Sequence, residues 1–234
     1  MIWETAADYA ALSQRAAEIL LDGIRRDPRP VLGLPTGRTP VGMYDRVIAE
    51  CAREYHCFRH VTTFNLDEYA GIPREHSGSY FTFMKRHLFD HVDIRPDNAH
   101  IPDGMAPDLE AECARYEHAI AAAGGLGQTF LGLGGNGHIA FNEPGTPFTA
   151  RTRVVALREE TREANAAFFP DGRVPTHAIT MGIDTILQSR EIVLLAGANK
   201  RAAIERLRSG EVTEAFPASA LWNHPNVRVI AASS

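Results

Sequence analysis

The residues best suited to chemistry fall in three short stretches, each directly after an apolar run. The richest is Leu131-Gly132-Leu133-Gly134-Gly135-Asn136-Gly137-His138-Ile139-Ala140-Phe141-Asn142-Glu143-Pro144-Gly145, with four glycines in six positions and a His and a Glu just beyond. Such a loop can approach a ligand closely or adopt positive φ. It has little packing reason to carry His138 and Glu143 together, so the pair reads more readily as an acid–base unit than as a hydrogen-bonded core histidine. The second stretch, Phe64-Asn65-Leu66-Asp67-Glu68-Tyr69, puts two acids at the end of an apolar run. A partly desolvated carboxylate at a strand end can have a raised pKa and act as a base. Neighbours on an extended chain point opposite ways, so at most one of the two faces a site; taken alone, either is also a helix-capping or surface acid.

The third stretch is Leu32-Gly33-Leu34-Pro35-Thr36-Gly37-Arg38-Thr39-Pro40, a strand entering a helix through a glycine-containing turn. Backbone N–H groups over Thr36, Gly37, Arg38 and Thr39, with the helix dipole behind them, would favour a phosphate. A plain strand-to-helix turn is the other reading, and the Gly-Lys-Ser/Thr ending of a Walker loop is missing. Lys200 follows a strand and could bring an ammonium to a phosphate at the sheet's carboxyl edge, whereas Arg162 reads equally as a surface charge.

The elements that must hold these residues alternate short apolar runs with longer amphipathic ones. Buried strands are expected over 31–34, 61–66, 129–133, 153–157, 192–196 and 227–231, and helices over 8–24, 40–50, 77–92, 108–122, 161–169 and 200–207. Within 77–92, Tyr80, Met84 and Leu88 recur every four residues behind Ser77 as N-cap. This predicts an α/β fold of one domain over 1–234: an open, Rossmann-like, mainly parallel twisted sheet with helices on both faces. The Gly/Pro-rich stretches follow strands, where open α/β sheets bind ligands.

Of the 234 residues, 44% are hydrophobic and 23% charged, ordinary globular values. No apolar run approaches a membrane span, and the acidic N-terminus lacks the pattern of a signal peptide, so a soluble cytoplasmic protein is expected. Cys51, Cys57 and Cys113 form no CxxC pair, which predicts neither a disulfide framework nor a zinc site. A net charge of −5 with no basic run gives no footprint for nucleic acid.

Together and in this order, these stretches resemble the glucosamine-6-phosphate deaminase family, from about Val31 onward. Leu34-Pro35-Thr36-Gly37, Asn65-Leu66-Asp67-Glu68-Tyr69, His76-Ser77-Gly78-Ser79-Tyr80, Gly137-His138-Ile139-Ala140-Phe141-Asn142-Glu143-Pro144 and Ile179-Thr180-Met181-Gly182 carry the likeness. The resemblance implies that Asp67 moves a proton between C2 and C1 of an amino-sugar phosphate, that His138 opens the pyranose ring, and that Asn136 and Glu143 orient His138. It places the phosphate on Thr36, Gly37, Arg38, Thr39 and Lys200. It implies a small-molecule sugar phosphate as partner, no metal and no cofactor, and leaves open a homo-oligomer and the choice between glucosamine and galactosamine 6-phosphate. Arg38 stands where many members have a small residue, and Ala167 where a basic residue helps hold phosphate. Ending at Ser234, the chain resembles the short form without the allosteric extension. The nearest alternatives are a 6-phosphogluconolactonase, which would leave Asp67 and Glu143 without a task, and the effector module of a sugar-responsive regulator, for which there is no DNA-binding segment.

Overall fold

The computed structural model describes residues 1–53, 57–169 and 172–233. In chain order the strands are β1 (Ile2–Ala6), β2 (Val31–Leu34), β3 (Thr62–Asn65), β4 (Asp67–Tyr69), β5 (Ala99–His100), β6 (Gln128–Gly132), β7 (Arg153–Ala156), β8 (His177–Thr180), β9 (Glu191–Ala196) and β10 (Val227–Ala232). The α-helices are α1 (Tyr9–Arg26), α2 (Val41–Cys51), α3 (Tyr80–His87), α4 (Leu109–Ala122), α5 (Glu159–Asn165), α6 (Ile183–Leu187) and α7 (Arg201–Arg208). Seven strands form a wholly parallel sheet in the order β1-β10-β9-β6-β2-β3-β5.

The central strands are apolar throughout because both their faces are covered. Phe64, Leu131, Ile192 and Leu194 pack with Tyr116 of α4 and Ile204 of α7 on one side. Leu32, Leu34, Phe130, Val193 and Leu195 pack with Leu12 and Leu20 of α1, Met43 of α2 and Met84 of α3 on the other. The chain runs outward from β2 through β3 to β5, then returns to β6 on the opposite flank of β2. β2 and β6 therefore flank a topological switch point, and the loops beyond their carboxyl ends are the turn at Thr36 to Thr39 and the glycine loop.

The strand expected over 61–66 is β3, and a further strand follows it directly. After Asn65 the chain leaves the parallel sheet, and Asp67 to Tyr69 becomes β4 of a small antiparallel sheet ordered β4-β8-β7. The run at 153–157, expected as a buried strand, is β7 at the edge of this second sheet and is only half-buried, as an edge strand paired on one side alone can be. The expected helix at 77–92 is shorter: Ser79, not Ser77, accepts from the Thr82 N–H at 3.1 Å, and α3 ends at His87. The helix expected over 161–169 begins at Glu159 and passes into a 3₁₀ turn over Ala166–Phe168. β1, β4, β5 and β8 were not foreseen; each is short or pairs at an edge.

The reading of the cysteines is corrected. Cys51 at the end of α2 is disulfide-bonded to Cys57, their Cα atoms 5.4 Å apart, while Cys113 is a buried thiol. The turn that ends α2 brings the two within bridging range, which spacing alone does not reveal. Among the described residues no helix is long and apolar enough to cross a membrane.

The small sheet closes against the segment at Gly104, whose carbonyl accepts from the Gly71 N–H at 2.8 Å. A Cβ on Gly104 would stand 1.9 Å from the Tyr69 carbonyl oxygen, so β4 can be held here only by a glycine. Gly104→Ala should lower stability by about 1–3 kcal/mol through overpacking. Urea unfolding is expected to show a lower midpoint with an unchanged slope.

Candidate active site

The glycine loop after β6 builds a relay around His138. The Asn136 side-chain amide donates to Glu143 Oε2 at 2.7 Å, which directs its oxygen towards His138. That oxygen accepts from the His138 backbone N–H at 3.1 Å and lies 2.8 Å from Nδ1 of the ring. With the amide oriented by the carboxylate, Nδ1 is the protonated nitrogen and Nε2 is left free to take a proton. Thr161 of α5 donates to Glu143 Oε1 at 2.7 Å and holds the far end. Burial lowers the His138 pKa, Glu143 raises it, and Lys200 lowers it again, so the net shift favours neutral imidazole.

Local backbone makes this geometry possible. The His138 ring lies against Gly134, where a Cβ would stand 2.4 Å from it. Gly137 takes a φ of +87°, and Ala140 is the one non-glycine residue with positive φ among the described residues, at +49°. The loop is bolted to β8: the Phe141 N–H donates to Thr180 Oγ1 at 3.1 Å, and the Asn142 amide donates to the Met181 carbonyl at 2.9 Å. β8 in turn pairs with β4, matching Thr180 to Asp67. Two loops distant in sequence thus share one support.

Asp67 is buried, and among the described residues no side chain or backbone N–H donates to its carboxylate. Burial raises its pKa to about 8, and the charge of Glu68 adds to the effect. Glu68 points the other way and binds the N-terminus of α3. Its helix-capping role, one of the two bland readings of this pair, is what the structure shows.

The turn from Thr36 to Thr39 leads into α2, whose N-cap Pro40 supplies no side-chain cap; the Tyr9 hydroxyl instead accepts from the Gly42 N–H at 2.8 Å and lies 3.1 Å from the carbonyls of Arg38 and Thr39. Gly37 has a φ of +92°. The Tyr80 hydroxyl donates to the Tyr69 hydroxyl at 3.3 Å, tying α3 to β4, and Thr36 of the turn lies near enough to influence the ionisation of Tyr80. Arg38 is exposed, and its guanidinium lies 5.9 Å from the centre of the Phe168 ring, beside Ala167. Lys200 is at the N-cap of α7, with its ammonium over Gly135 of the glycine loop. One segment touches all three stretches: Thr161 reaches Glu143, the Phe169 ring stands edge-on to Tyr69 with centroids 5.2 Å apart, and Phe168 lies under Arg38.

Sequence reasoning passed over Tyr69, Tyr80 and Thr161. Tyr80 sits in a quoted signature and could have been found there; Thr161 lay in a run read only as helix. Among the described residues no group of three His, Cys, Asp or Glu is arranged to hold a metal ion.

An open α/β sheet that brings a buried carboxylate, an oriented imidazole and a glycine-containing turn to its switch point has the layout of an enzyme that takes a small ligand at the carboxyl edge of its strands. Residues 4–230 match the family described as glucosamine-6-phosphate isomerases/6-phosphogluconolactonase, and the chain belongs to it. It is 54% identical over 226 residues to the glucosamine-6-phosphate deaminase of Shouchella clausii (strain KSM-K16), covering 96% of this chain and 92% of the relative. It is 50% identical over 232 residues to the enzyme of that name from Lysinibacillus sphaericus (strain C3-41), covering 98% of each. Among solved structures, a monomeric glucosamine-6-phosphate deaminase matches with a TM-score of 0.96 at 47% identity, over 99% of this chain and 97% of that one. A 6-phosphogluconolactonase from Thermotoga maritima shares the fold, with a TM-score of 0.77 at 18% identity over 99% of this chain and 98% of that one.

The raised pKa of Asp67 has a consequence for stability. Its carboxyl has an ordinary value of 3.8 and is raised to about 8 in the fold. Between these values the folded chain holds a proton that the unfolded chain has released, so stability falls as pH rises through this window. At about 1.4 kcal/mol per tenfold change, ionising Asp67 in the fold costs several kcal/mol. Asp67→Asn should therefore raise the Tm, and its lead over wild type should widen from about pH 5 to pH 9. A lead that stays level in thermal melts would show that Asp67 is not desolvated.

Proposed function

We propose that this chain is a deaminating aldose–ketose isomerase that converts glucosamine 6-phosphate and water into fructose 6-phosphate and ammonia. The observation that carries this reading is the presence, at one switch point, of two separate acid–base units: a buried carboxylate at Asp67 and an imidazole oriented through Asn136 and Glu143. A lactone hydrolase has no carbon-bound proton to move and no use for the first.

The sugar's phosphate rests on Thr36, Gly37, Arg38 and Thr39 with the ammonium of Lys200. His138 Nε2 takes the proton of the C1 hydroxyl and returns it to the ring oxygen, and the C1–O5 bond opens. Asp67 removes the proton from C2 while the C2 ammonium gives one of its protons to O1, leaving an enolamine between C1 and C2; Asp67 then delivers its proton to C1, and the nitrogen is left as an iminium. The C2 iminium then takes up water, the C–N bond breaks, ammonia leaves, and C2 becomes the ketone. C2 is oxidised as C1 is reduced, so the reaction balances without an external oxidant. We place the activity in the cytoplasm, where phosphorylated sugars are formed.

The test is a coupled assay of ammonia and ketose phosphate from glucosamine and galactosamine 6-phosphate, with lactone hydrolysis measured beside them. Ammonia from the glucosamine epimer is the expected outcome. Ammonia from galactosamine 6-phosphate alone would move the substrate to the epimer, and lactone hydrolysis without ammonia would overturn the reading. The two acid–base units should also separate. Asp67→Asn should bind substrate but lose roughly 10²–10⁴-fold in turnover together with exchange of the C2 proton with solvent. His138→Gln should recover much of its lost rate on an analogue unable to cyclise.

Arg38 supplies a guanidinium beside the turn where the family's basic residue at position 167 is replaced by alanine. Arg38→Gly should raise KM with little change in kcat; an unchanged KM would leave the phosphate to the turn and Lys200.

A further inference from the structure

Glu68 stands next to Asp67 but serves a different element. One oxygen of its carboxylate accepts from the backbone N–H groups of Tyr69 at 2.8 Å and Tyr80 at 2.9 Å, and the other accepts from the Phe81 N–H at 2.9 Å. α3 therefore starts on two caps: the local Ser79 hydroxyl, and a carboxylate delivered from the strand that carries Asp67. Glu68 is only 3% exposed, and its bonded oxygens lie on the face of β4 away from Asp67, so it is not a rival base.

The side chain of Asp67 receives no hydrogen bond among the described residues, so its direction is set by its backbone. That backbone is held on one side by the pairing of β4 with β8, and on the other by the bonds from Glu68 to α3. We propose that Glu68 is a positioning residue for proton transfer at Asp67: by clamping β4 to the first turn of α3, it fixes where the Asp67 carboxylate points and sets a negative charge beside it. The inference rests on the reading of Asp67 as the base.

Tyr80 extends the clamp. Its N–H donates to Glu68 and its hydroxyl donates to the Tyr69 hydroxyl at 3.3 Å, so one residue of α3 is tied to β4 at both ends. The charged and titratable groups facing the pair are Arg74, a counter-charge to Glu68, and Tyr69, Tyr80 and Tyr116, which feel the charge of Asp67. β8 contributes uncharged Ile179 and Thr180. Burial raises Glu68 to about 7 against the donors at its oxygens, so the two carboxyls titrate as a coupled pair. When Asp67 takes the C2 proton, Glu68 is free to hold its full charge, and the clamp is firmest while the enolamine exists.

Glu68→Gln keeps the size, removes the charge and turns one acceptor into a donor facing an N–H group. It should slow C2 proton exchange and kcat by roughly 10–100-fold, the scale of a small misplacement of a catalytic group, with KM changed less than about threefold. The low-pH limb of kcat/KM should also move to lower pH. A rise in KM alone, or wild-type exchange with an unmoved limb, would overturn the clamp. Should this variant fail to fold, the wild-type amide resonances of Tyr80 and Phe81 decide by NMR. They should titrate with the carboxylate, and at lower pH in Asp67→Asn; resonances flat with pH would overturn the proposal. If Asp67→Asn itself retains C2 exchange, the base assignment falls and the clamp with it. If Asp67→Asn loses exchange and Glu68→Gln does not, only the clamp falls.

Discussion

Two adjacent carboxylates buried where the chain changes sheets are the constraint on which the rest of the site depends. Taking charge out of water is costly unless partners replace the solvent, and the two acids meet that demand in opposite ways. Glu68 is satisfied by backbone N–H groups at the start of α3. Asp67 has no donor among the described residues and is driven towards its protonated form. The departure of the chain from the parallel sheet after Asn65 makes this division possible, because alternation along β4 then sends neighbouring side chains to different surroundings.

The glycine loop solves the complementary problem. An imidazole that must accept a proton has to be neutral and correctly tautomerised, and its pKa is lowered by burial and by Lys200 against the pull of Glu143. The close approach of the ring to Gly134 and the ties from Phe141 and Asn142 to β8 give it a rigid bed. Since β8 also pairs with β4, displacement of one acid–base unit is transmitted to the other through a few backbone contacts.

The parallel sheet was legible because runs such as 192–196 are apolar at every position, which only a strand covered on both faces tolerates. The antiparallel sheet was legible only in part: β7 was expected as a strand but as a buried one, β4 has just three residues, and β8 lies in a stretch recognised only by likeness. His138 and Glu143 drew notice because chemically capable side chains rarely accompany so many glycines, and Asn136 was named through the family likeness. Thr161, which holds Glu143, comes from another element, and no local pattern announces such a partner. The pairing of Cys51 with Cys57 escaped for a similar reason, since it depends on how α2 ends.

That the middle member of the relay is Asn136 and not an acid limits what the relay can transport. A carboxylate there could pick up and pass on a proton, making His138 and Glu143 the two ends of a wire. An amide holding both neighbours at 2.7–2.8 Å cannot, for its nitrogen already donates and its oxygen has no proton to release. The imidazole is insulated from Glu143 in the sense of proton traffic while remaining within its electric field. Whatever proton Nε2 gains must leave by Nε2, so in the proposed ring opening a single nitrogen would swing one hydrogen between two oxygens of the same sugar, and the bulk solvent need not take part.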